Sequence, residues 1–157
     1  MRNADEPRRW LKDARACLET ARRDFKAKDF RATVQNGQLA VELSAKALIA
    51  CFSEPEWVHD PSGQLLSVAE IYKSKIEKVF GVGIVEELKL LAKGVKEISP
   101  WHGFSIYGRR TREGWVSAVD ICTAEKADWA LQSAERSFRT ASNFVDRWFE
   151  GESQRRS

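Results

Sequence analysis

Beyond Thr123 the chain carries Ala127, Leu131, Ala134, Phe138, Ala141, Val145 and Trp148, alternately four and three residues apart without a fault. That spacing follows the 3.6-residue period of an α-helix, so these side chains line one face of a long helix. Thr123 suits its N-cap, and Glu125 in the first turn complements the helix dipole. A single apolar stripe has to be covered by a partner of similar length. Two such partners precede it. Trp10, Ala14, Cys17, Leu18, Ala21 and Phe25 share one face of a helix expected from about Pro7 to Ala27. Val34, Val41, Ala45, Leu48 and Phe52 line a second helix that Asp29 caps, widened by Leu39, Leu43, Ala47 and Ala50.

Leu65, Ala69, Tyr72, Ile76 and Val79 predict a third helix ending near Phe80, and Leu88, Leu91, Val95 and Ile98 a fourth. The four prolines fit this plan: Pro7 suits a first helical turn, while Pro55, Pro61 and Pro100 fall in connections. Ser99 to Cys122 has no convincing period and reads as a long loop, a common location for function. No internal repeat and no strand-like run with a hairpin signal stands out. The expected architecture is all-α: an up-and-down bundle of four to five helices over residues 1–150, followed by a polar, flexible tail, 151–157.

Composition narrows the function classes. With 43% hydrophobic and 31% charged residues, the chain has material for one core and lies outside the regime of disorder. Twenty-six basic against 23 acidic side chains, spread over both halves, exclude a polyelectrolyte that grips phosphate backbones by charge alone. Cys17, Cys51 and Cys122 form no close pair and read as thiols of a reducing compartment. The charged N-terminus and the interruption of Leu39–Phe52 by Glu42 and Lys46 argue against a signal peptide or a membrane span, so a cytoplasmic protein is expected. Two scattered histidines without HExxH, and no Cys pair, leave too few ligands at workable spacing; neither a metal nor a cofactor is expected.

Three groups of residues carry possible chemistry. Trp101, His102, Tyr107, Arg109, Arg110 and Arg112 lie in the aperiodic stretch, where aromatics stack on bases and guanidiniums fork onto phosphates. The competing reading has Trp101, Phe104 and Trp115 anchoring the loop while the arginines reach solvent. His59 beside Asp60 can serve as a general base or ligand contact, or else Asp60-Pro61 simply starts a helix. Gln35, Gln38, Glu42 and Lys46 share one stripe of the second helix. There Glu42 and Lys46 form either a polar spot at a seam or an exposed i,i+4 pair contributing about 0.3–0.5 kcal/mol.

The stretch Val34-Gln-Asn-Gly-Gln-Leu-Ala-Val-Glu-Leu-Ser-Ala-Lys-Ala-Leu-Ile49 resembles the second helix of HEPN domains, the higher-eukaryote and prokaryote nucleotide-binding family. Ala40, Glu42, Lys46, Ala47 and Leu48 match the family pattern, and His59-Asp60 with Leu65 stand where a His-Asp pair and a Leu often follow. Trp10, Asp13, Ala14, Leu18 and Ala21 in the first helix fit as well, and so does Thr123-Ala-Glu-Lys-Ala before Ala134-Glu135. The resemblance implies a helical bundle, often dimeric. Many members are RNases of toxin, CRISPR or RNA-defence systems, and others partner minimal nucleotidyltransferases. The RNases carry an Arg and a His with four to six residues between them. Here Phe52, Ser53 and Glu54 precede His59 at that spacing, and Val95, Lys96 and Glu97 precede His102. A second variant has Arg-Tyr-Pro; this chain has Ile106-Tyr107-Gly108, retaining only the Tyr, with Arg109 and Arg110 directly downstream.

The expected function is therefore a noncatalytic nucleotide- or RNA-binding module, with no catalytic residue assigned. The alternative is a dimerising interaction module that partners a minimal nucleotidyltransferase or another defence protein. Third comes an RNase using His102, Arg109 and Arg110.

Overall fold

The computed structural model describes residues 2–156, with side chains described as far as Gly151. Helix α1 (Asp5–Lys26) and helix α2 (Phe30–Ala50) form an antiparallel pair. The turn between them uses local hydrogen bonds completely. Lys28 takes a left-handed conformation, φ 59°, uncommon for a residue with a Cβ. It lets Lys28 N–H donate to the Phe25 carbonyl and Asp29 N–H to that of Asp24, the double closure of a Schellman cap. Asp29 then accepts from the Ala32 N–H at 3.1 Å and starts α2, as the sequence predicts.

Helix α8 (Ala124–Arg156) lies against both α1 and α2. Thr123 caps it, accepting from Lys126 N–H at 3.1 Å. Contact with α2 is close because small residues meet: a Cβ added to Gly37 would lie 3.1 Å from the Ala130 backbone. Leu18, Val34, Val41, Leu48 and Val145 fill this seam and are almost fully buried. Residues 151–156 of the expected tail continue the backbone of α8, and Ser157 lies outside the described residues.

Helices α3 (Ser62–Ile71), α4 (Lys73–Phe80) and α5 (Ile84–Ile98) close the other side of α2. The expected third helix is split at Tyr72, although i→i−4 bonds on both sides of that residue carry the backbone through the bend. Phe80 stacks on Phe144 with centroids 4.4 Å apart, and Phe52 packs on Trp148 at 4.9 Å, joining this side to α8.

The stretch 99–122 is not the loop that its lack of period suggests. It forms helix α6 (Trp101–Tyr107), a hairpin of β1 (Arg109–Thr111) and β2 (Gly114–Val116), and helix α7 (Ala118–Ile121). Each piece is too short to show periodicity. The strands also expose both faces to an extent that leaves no apolar alternation.

One ion pair ties the first helix to the last. Arg22 donates to both carboxylate oxygens of Glu135 at 2.6 Å, and this fork holds the Glu135 carboxyl below the ordinary glutamate value of 4.5. A depressed carboxylate adds stability above its unfolded value and loses it as pH falls through the folded one. Both groups touch solvent, so the pair should contribute no more than about 1 kcal/mol. Between pH 6 and pH 3 the wild-type chain should therefore lose more stability to urea than Glu135→Gln does, by up to that amount. Equal losses would show that the pair is energetically silent.

Candidate functional site

Helix α2 is apolar nearly all round, yet Gln38, Glu42 and Lys46 recur every four residues and are buried. The Glu42 and Lys46 side chains keep only 6% and 9% exposure, which replaces the reading of an exposed surface pair. Lys46 Nζ donates to Glu42 Oε1 at 3.2 Å, and Gln38 Nε2 donates to Oε2 at 3.0 Å. Desolvating two charges is costly, and those hydrogen bonds are what make it tolerable. Trp10 of α1 covers the cation, its ring centroid 5.6 Å from Lys46 Nζ. The Trp10 Nε1–H is buried without a partner.

Both histidines of the chain converge on this stripe. His59, from the connection before α3, places Nδ1 3.5 Å from Glu42 Oε2. His102, in the first turn of α6, places Nδ1 3.2 Å from Gln38 Oε1. Their rings stack with centroids 3.7 Å apart and planes within 19°. Ser99 fixes both at once: its hydroxyl donates to the His59 carbonyl at 3.0 Å, and its carbonyl accepts the His102 N–H at 3.1 Å. Arg31 and Gln35 anchor α6 from below by donating to the Ser105 carbonyl. Burial, then the neighbouring His59, push the His102 imidazole below its ordinary value. Burial likewise raises the Cys17 thiol, helped by Asp13 and Glu42.

Asp60 takes no part in this cluster. Its Oδ1 accepts from Ser62 N–H at 3.1 Å and stabilises the entry to α3, a turn role that accounts for the Asp-Pro dipeptide. The spacing argument against a metal also fails in three dimensions, since donor atoms of Glu42, His59 and His102 lie within 4.8 Å of one another.

The remaining sequence candidates divide around the hairpin. Trp101 is buried against Phe104 and Trp129, with Lys126 over its ring. Arg109 lies over the Phe104 ring at 5.0 Å. Arg110 pairs with Trp115 across the two strands, so their side chains leave the same face of the ribbon. Both are exposed, as are Tyr107 and Arg112. Gly108, φ 83°, turns the chain from α6 into this ribbon. A separate groove of about 420 Å³ between α4–α5 and α8, with Arg139 and Arg147 on its wall, contains none of these residues.

The model of the HEPN domain matches residues 7–102. The chain belongs to the HEPN family. Neither a curated protein nor a solved structure matches it. The matched part of this HEPN domain runs from the start of α1 to His102. It takes in the whole Gln38–Glu42–Lys46 stripe and both histidines, and ends before the hairpin and before α8, which the resemblance read from sequence also included. Among the described residues no helix is long and apolar enough to cross a membrane.

Of the site residues, sequence reasoning left Ser99 and Trp10 unassigned. The signals that pointed to the cluster were the four-residue recurrence of polar side chains on an otherwise apolar helix and the family pattern at Glu42, Lys46 and His59.

Proposed function

We propose that this HEPN domain is a noncatalytic nucleotide- or RNA-binding module whose contact surface is the β1–β2 hairpin and the end of α6. The observation that carries this reading is the register of Arg110 opposite Trp115. It sets a guanidinium and an exposed indole side by side on one face. Stacking a base on the indole while the guanidinium takes a phosphate oxygen uses both groups without rearrangement. Tyr107, 79% exposed, and Arg112 extend the same combination of ring and charge. Neither His follows an Arg at the spacing of the family's RNases, which supports binding without cleavage.

Fluorescence anisotropy with single-stranded RNA and with free nucleotides tests it. Trp115→Ala should weaken binding by about 5- to 150-fold, the equivalent of one stacked base at roughly 1–3 kcal/mol. Arg110→Ala should weaken it and flatten its salt dependence by about one phosphate contact. Unchanged affinity in both variants, with unchanged helical circular dichroism, would remove the hairpin as the contact surface.

A further inference from the structure

The Glu42–His59–His102 cluster has no part in the hairpin reading. Its donors are one carboxylate oxygen and two imidazole nitrogens, the set that zinc-class ions take and that magnesium and calcium, which want oxygen throughout, do not. Tetrahedral bonds of about 2.0–2.2 Å place neighbouring donors about 3.3–3.5 Å apart. His59 Nδ1 and Glu42 Oε2 already stand at 3.5 Å. The other donor separations are at most 4.8 Å, and the His59 side chain, 64% exposed on a connecting segment, has room to turn.

The surroundings are those of a supported ligand set. Gln38 Oε1 occupies Nδ1 of His102, which assigns the proton to that nitrogen and leaves Nε2 as the ligating lone pair. The other end of the same amide donates to Glu42, and Lys46 donates to the opposite carboxylate oxygen, so the carboxylate is oriented before any ion arrives. Lys46 takes Oε1, and Oε2, which accepts the Gln38 amide, has a second lone pair for the ion. Ser99 holds the backbones of both histidines. Three protein donors leave at least one coordination position for water.

We propose that Glu42, His59 and His102 form a binding site for a divalent transition-metal ion of the zinc class. Chelator-treated, full-length protein titrated with Zn(II) by calorimetry should take one ion per chain. The same protein with Co(II) should show ligand-field absorption of a four- or five-coordinate N/O site. His59→Ala, at a largely exposed position, should leave the metal-free protein folded, with only a small fall in melting temperature from the lost Glu42 and His102 contacts, and abolish the 1:1 step. Gln38→Ala should weaken the site by about 10- to 100-fold. Two results would overturn the proposal: no 1:1 binding by the wild-type chain, or 1:1 binding that persists in the His59→Ala/His102→Ala double variant.

Discussion

Glu42→Leu should destabilise the domain by about 3–5 kcal/mol, the range for removing one partner of a buried ion pair. The substitution leaves the Lys46 ammonium buried beneath the Trp10 ring and takes away the acceptor of the Gln38 amide. For a chain of this size that corresponds to a fall of roughly 6–20 °C in Tm. Lys46→Met should cost less, because Glu42 keeps Gln38 and the His59 imidazole as partners. The double variant Glu42→Leu/Lys46→Met should recover part of the loss, since it also removes the charge that Glu42→Leu strands, while the Gln38 amide still lacks its acceptor. Urea titrations of the four proteins form the cycle that checks this. A double variant no more stable than Glu42→Leu would mean that the ion pair is needed for the packing of α2 itself.

Gly108→Ala should have the second large effect, and it should act on stability and on RNA binding together. At φ 83° and ψ −170° the residue occupies a region that is essentially glycine's alone, worth about 1–3 kcal/mol against any other residue. Space forbids the substitution as well: the added Cβ would fall 2.2 Å from the Val116 carbonyl oxygen and 3.2 Å from the Ala118 nitrogen. Both are backbone atoms of the hairpin and its exit, so the ribbon must move for the methyl to fit. Arg110 and Trp115 move with it, and RNA affinity should drop as far as it does in Trp115→Ala. Gly114→Ala is the contrast. It carries the same left-handed penalty, φ 121°, but nothing lies within 4 Å of its Cβ. Its effect should stay local to the turn. If Gly108→Ala binds RNA with wild-type affinity, the hairpin's position is irrelevant to binding.

The long elements were legible because each repeats its apolar residues for several turns. The 4–3 alternation from Ala127 to Trp148 gives α8, and Asp29 with the stripe from Val34 to Leu48 gives α2. Tyr72 shows the limit, since a bend that keeps the apolar period leaves no gap in the pattern. The hairpin was not legible for the opposite reason: three-residue strands with exposed faces bury nothing that could set a period. The site was half legible. Gln38, Glu42 and Lys46 stand on one helix face by spacing alone, but His59 reaches them through the aperiodic connection before α3, and His102 only after α3, α4 and α5 have turned the chain back on itself. Hydropathy carries no record of that return.

The dependence of α1 and α2 on α8 has a consequence for the order in which the protein is made. Residues 51–123 separate the end of α2 from the start of α8. At about 5–20 residues per second, a ribosome needs roughly 4–15 s to cross that interval. Helices form in about a microsecond, so α1 and α2 pair long before their shared partner exists. Throughout that wait Gly37, Val41 and Ala45 present a smooth, small-residue apolar face to the cell. Until α8 covers it, this face is the part of the unfinished chain most open to association with other chains.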